Sequence, residues 1–163
     1  MKLKLDDAQA LVLGRAMRDS GKVMRNRRAI TALALGASVP LAVVALWQTG
    51  AIRKIPEPKL PIFDAEKVNG SPQAYEKLQI PDGILGIGSL IATAGLAAMG
   101  PPRRSRFLTQ ALAAKVALDA TTAAKLTIDQ WTKYRAFCVW CLLAAGATLA
   151  MLPFAWNEIR SSS

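Results

Sequence analysis

Residues 29–48 and 137–156 each run for 20 residues without a formal charge, although 20% of this 163-residue chain is Asp, Glu, Lys or Arg. A helix needs about 20 apolar residues to cross the roughly 30 Å hydrocarbon layer of a membrane. Two further stretches, shorter or less apolar, lie between these runs at residues 84–99 and 107–126, and the second of them carries Lys115, Asp119 and Lys125. A mean hydropathy of +0.25 alongside so much charge follows from this segregation. The predicted fold is all-α, a polytopic membrane four-helix bundle with both termini on one side.

The segments outside the spans divide by charge. Residues 1–28 form a basic N-terminal segment in which Leu5, Val12 and Ala16 recur at roughly helical spacing, predicting a helix on the membrane surface. The membrane domain covers 29–156, and its polar loop at 49–83 contains Pro56, Pro58, Pro61, Pro72 and Pro81. Within that loop a short helix is predicted over 71–78, with Pro72 suited to its first turn. Gly86, Gly88 and Gly95 suit close helix packing in the second span. Residues 100–106 read as a tight basic turn, and 157–163 as a polar stub. The side holding the termini has twelve Lys and Arg outside the spans, against seven on the other. Positive charge therefore assigns the termini to the cytoplasm and the 49–83 and 127–136 connections to the outside.

Composition excludes several classes of function. The chain has no histidine, which removes histidine-ligated haem and the commonest general base. Its net charge of +10 lies beside the spans and lines no soluble face, so it reads as topology and lipid contact, with no nucleic-acid partner. The two cysteines, Cys138 and Cys141, open the fourth span as Cys138-Val139-Trp140-Cys141. Chance gives two cysteines this spacing about once in eighty arrangements. Thiols three apart share a helix face and can close a disulfide, and the first helical turn favours a thiolate. Two small packing residues, or an inert disulfide, have the same spacing. Their place at the outer membrane boundary favours redox chemistry, and no metal site is expected because further ligands of suitable type are missing.

Four spans, a long outer connection after the first and a C-x-x-C opening the fourth resemble the vitamin K epoxide reductase family. The likeness runs through Val68-Asn69-Gly70-Ser71 and Ile80-Pro81-Asp82-Gly83-Ile84-Leu85-Gly86, and resumes from Asp129 to Leu142. The resemblance implies a quinone held between the helices as substrate, of ubiquinone or menaquinone type. It also implies a thioredoxin-like thiol partner and a bacterial inner (plasma) membrane with the C-x-x-C at the external face. By resemblance Cys141 lies nearest the quinone and Cys138 exchanges with the partner, while Asn69 and Ser71 belong to the quinone site. The family's second cysteine pair, in the outer loop, is missing; Ala65 and its neighbours occupy that region. Either the partner reaches Cys138 directly, a separate shuttle subunit serves it, or the chain is a non-catalytic assembly subunit that keeps the bundle.

Phe137 and Trp140 flank the cysteines, with Trp131 and Tyr134 just outside them. Such a shell serves either as a quinone pocket or as a set of interface anchors. Lys115 and Asp119, four apart within the third span, read as a mutually neutralising pair.

Overall fold

The computed structural model describes residues 7–18, 21–75, 79–99 and 104–162. Seven α-helices are described: α1 (Asp7–Met17), α2 (Lys22–Gln48), α3 (Ala65–Asn69), α4 (Asp82–Ala98), α5 (Arg106–Asp129), α6 (Val139–Ala150) and α7 (Leu152–Ser162). Among the described residues there is no strand, and the one isolated β-bridge joins Phe63 to Phe137. Leu5 of the predicted surface helix and residues 76–78 and 100–103 of the predicted loop helix and basic turn lie outside the described residues.

The bundle consists of α2, α4, α5 and the α6–α7 pair, which correspond to the four predicted spans. Helix α2 starts at Lys22, ahead of the uncharged run, because no helix breaker separates the basic residues 22–28 from the span. It ends where Gly50 takes up φ +79°, a conformation that only glycine adopts without strain. Helix α6 gives way to α7 at Met151, whose N–H bonds back only three residues to Thr148. Pro153, two residues further on, has no N–H to continue the ladder. Helix α7 reaches Ser162, so the polar residues after 156 continue the helix.

Interior and exterior are equally apolar but differ in size. Small residues line the centre, with Ala34 and Ala37 of α2, Ala94 and Ala97 of α4 and Ala155 of α7 packed around Ile30, Leu90, Leu112, Val116 and Met151. Larger ones point outward, among them Leu35, Val39, Ile91, Leu118, Leu143 and Trp156. This is how helices pack in lipid, where small residues let backbones approach. Gly83 and Gly86 make the close contacts, since a Cβ would meet Gln48 Oε1 at 2.9 Å and Leu41 Cδ1 at 2.8 Å respectively. Gly88 and Gly95, predicted to pack in the same way, face open space. Among the described residues, two helical stretches are long and apolar enough to cross a membrane, Lys22–Gln48 and Val139–Ser161.

Among the described residues, two charged clusters lie between the helices of the bundle. Between α4 and α5, Lys115 Nζ lies 2.6 Å and 2.7 Å from the two Asp119 oxygens, which also accept from Ser89 Oγ (2.7 Å) and Thr93 Oγ1 (2.6 Å). At the end of the bundle holding the termini, Arg27 Nε and Arg104 Nη2 both lie 2.8 Å from Glu158 Oε1. Burial pulls the Arg104 guanidinium below its ordinary value, against the raising effect of Glu158.

Candidate functional site

The opposite end of the bundle is built on the start of α6. Cys138 is the N-cap of that helix, with extended backbone (φ −103°, ψ 115°) that turns its Sγ back to accept the Cys141 N–H at 3.2 Å. Cys141 lies one turn on, with its Sγ 2.6 Å from Cys138 Sγ. Both are free thiols, placed so that a small movement closes the bond of about 2.05 Å that a disulfide requires. An N-cap sulfur faces the unpaired N–H groups and positive pole of the helix, which stabilise a thiolate there.

Three other segments surround the pair. Ile55, Ala65 and Val68 from the loop join Val44, Ala136 and Cys138 in one buried core, and Cys138 is 0% exposed. Ala65 thus occupies covered space beside Cys138 where the resemblance leads one to look for a loop cysteine. Asn69 is buried; its side-chain N–H donates to Ala65 O at 2.7 Å, leaving Oδ1 to accept the Cys141 thiol at 3.4 Å. Gln48, at the end of α2, donates to Asn69 O (3.2 Å) and Asp82 Oδ1 (2.6 Å) and accepts the Gly83 N–H at 3.2 Å. One side chain therefore joins α2, α3 and α4 beneath the cysteines.

The loop lies over the site by main-chain pairing. Phe137 N–H donates to Ile62 O at 2.8 Å, and Asp64 N–H donates to Phe137 O at 3.0 Å. Trp140 Nε1 donates to Pro56 O at 2.6 Å, so this indole tethers the loop while its ring packs on the outer core. Glu57 accepts the Ala65 N–H at the start of α3, which keeps the proline-rich stretch folded back.

The remaining predicted residues separate into two groups. Trp131 and Phe137 stack on each other at 5.7 Å between centroids, with Arg135 over the outer Trp131 face. Trp131 is 50% exposed. Tyr134 Oη donates to Gln73 Oε1 at 3.0 Å, and Ser71 is buried just ahead of the 3₁₀ turn Pro72–Tyr75. Asp129, past the apolar part of α5, is held below the usual carboxylate range by hydrogen bonds from Lys125, Gln73 and Lys133. Asn69 and Trp140 thus flank the thiols directly, while Trp131, Phe137 and Tyr134 shape the connection leading to them.

Gln130 lies in the stretch that carries the family resemblance but is not among the predicted site residues. It lies 3% exposed in a single π-helical turn, Gln130–Tyr134, and its Oε1 accepts the Cys138 N–H at 2.8 Å. Trp47, also unremarked in the sequence, packs half-buried against the outer core and lies against Gly70.

An all-α membrane bundle that holds two thiols within bonding reach at the mouth of one helix belongs to the class of membrane thiol–disulfide proteins. The chain belongs to the vitamin K epoxide reductase family, whose sequence profile matches residues 28–156. Members of that family are integral membrane oxidoreductases linking quinones to thiol–disulfide exchange. No curated protein matches the chain in a sequence comparison.

Proposed function

We propose that this chain passes electron pairs from a thioredoxin-like dithiol protein, by way of Cys138 and Cys141, to a membrane quinone. The partner's two thiols reduce the Cys138–Cys141 disulfide and become a disulfide themselves. The two cysteine thiols then give two electrons and two protons to the quinone, which leaves as quinol, and the Cys138–Cys141 bond re-forms. The observation that carries this reading is the placement of two thiols 2.6 Å apart at a helix N-terminus, one covered and one half-open. Cys141, the partly buried one, packs against the same outer core as Trp47 and Trp140, whose flat apolar rings suit a quinone. Phe137, Trp131, Tyr134, Asn69 and Ser71 complete its surroundings in this reading. Asn69 acts on the Cys141 thiol itself.

Full burial of Cys138 favours the second reading, an assembly subunit with an inert pair, because no partner reaches that sulfur while the loop stays down. Turnover decides between them. Purified protein in lipid, reduced and freed of dithiol, is expected to convert a short-chain benzoquinone to one quinol per Cys138–Cys141 disulfide formed. Reduced protein that leaves the quinone unchanged overturns the proposal.

The charge asymmetry supports a cytoplasmic inner end and an external thiol end, in a bacterial plasma membrane. A reporter fused after Ser163 is expected to be active in the cytoplasm, and an impermeant thiol reagent to label Glu66→Cys from outside. The reverse pattern puts the cysteines in the reducing compartment and removes the oxidising role.

A further inference from the structure

The thiol pair has two kinds of support, and they differ in permanence. Phe137, next to Cys138, is held by the loop through Ile62 O and the Asp64 N–H. That tether has to release before any partner reaches the covered sulfur. The Cys138 N–H itself is held by Gln130, which comes from the end of α5 and so from the bundle. Gln130 also carries the turn that brings the chain back: its main-chain carbonyl accepts the Arg135 and Ala136 N–H groups, with Arg135 in the left-handed region at φ 51°. A buried N–H without an acceptor is costly, so this bond fixes the Cys138 main chain. With the main chain fixed, the sulfur stays at the N-cap, facing the Cys141 N–H.

Resting on the redox reading above, we infer that Gln130 is a positioning residue that keeps Cys138 in register with Cys141 when the loop lifts and through both redox states. It touches neither sulfur and acts through the Cys138 amide. Holding the reduced sulfur at the helix N-terminus stabilises the dithiol form and makes the disulfide more oxidising. Single π turns recur at functional sites, and here the turn brings a glutamine side chain back over the intervening residues to Cys138.

The test uses the full chain in lipid and the variant Gln130→Met, which keeps the side chain's length without its amide oxygen. Equilibration with dithiothreitol redox buffers is expected to show a disulfide about tenfold harder to reduce, a fall of about 30 mV. Quinone kcat falls with KM unchanged, and the melting temperature falls by a few degrees because the buried Cys138 N–H loses its acceptor. A purely structural glutamine lowers the melting temperature and leaves the redox equilibrium where it was, which overturns the inference. Should Gln130→Met fail to fold, hydrogen exchange on the wild-type chain decides: the Cys138 amide is expected to stay protected in both oxidised and reduced protein. Loss of protection on reduction overturns the inference. A wild-type chain that forms the disulfide but reduces no quinone sinks the functional reading instead, and the redox equilibrium still tests Gln130.

Discussion

Cys138→Ala and Cys141→Ala are each expected to abolish quinone reduction, with a fall of only a few degrees in melting temperature. Exchange of two electrons between a dithiol and a quinone needs one thiol to attack and a second to resolve, so neither variant keeps residual turnover of its own. The cost in stability is small for a separate reason. A disulfide between residues three apart closes a very short loop, and its loop-closure contribution is about 2 kcal/mol. Alanine also fits either position without burying a new polar group, and at Cys138 it removes an N-cap worth about 1 kcal/mol. Quinone reduction and thermal unfolding measured on the same two variants separate the enzyme from an assembly subunit, for which stability falls and there is no turnover to lose. Full turnover in both variants overturns the redox assignment.

Glu158→Leu is expected to prevent the protein from accumulating in a folded form. The Glu158 side chain is 2% exposed, and one of its oxygens neutralises both Arg27 and Arg104, whose side chains are as deeply buried. Without it, two guanidinium groups remain facing each other in a medium that solvates them poorly. Breaking a buried ion pair from one side costs about 3–5 kcal/mol, a large share of the 5–15 kcal/mol typical of a folded domain. Removing every charge of a cluster has the opposite character. Lys115→Met combined with Asp119→Leu leaves no stranded ion and is expected to fold and to reduce quinone normally, whereas Asp119→Leu alone leaves a half-buried Lys115 without its carboxylate beside Ser89 and Thr93. Detergent melting curves across these variants make the comparison. A Glu158→Leu protein that melts like the parent would show the triad to be well hydrated.

The first, second and fourth spans were legible because charge is excluded from them one residue at a time, a local property, while the third was read through its three charges. The thiol pair was legible for the same reason, its spacing being a feature of four consecutive residues. Contacts that depend on chain return were not. Glu158 sits in a short polar tail, and its partner Arg27 is 131 residues away in sequence, so nothing nearby marks it as buried. Gln130 meets Cys138 only because a π turn and a left-handed Arg135 reverse the chain, and neither leaves a compositional trace. Among the glycines, composition picked the right helix, but only the three-dimensional approach of Ala45 and Leu41 singles out Gly83 and Gly86. The aromatic residues were ambiguous because an indole serves equally as a ring surface and as an N–H donor. Trp140 does both, through its bond to Pro56 and its contact with the outer core.

The covering of Cys138 has a kinetic consequence. A sulfur with no exposed surface cannot react at a rate set by collisions with its partner; it reacts at a rate set by how often the segment above it opens. In the proposed cycle, oxidation of an external dithiol then follows partner concentration only when the partner is scarce. Once it is abundant, the rate levels off at the opening frequency, and further partner has no effect. In the proposed cycle quinone reacts at Cys141, a residue that is only partly buried, and this half is not subject to the same ceiling. The two halves of the proposed cycle therefore respond to different controls: the thiol half to the tethers at Pro56, Ile62 and Asp64, the quinone half to the supply of quinone in the membrane.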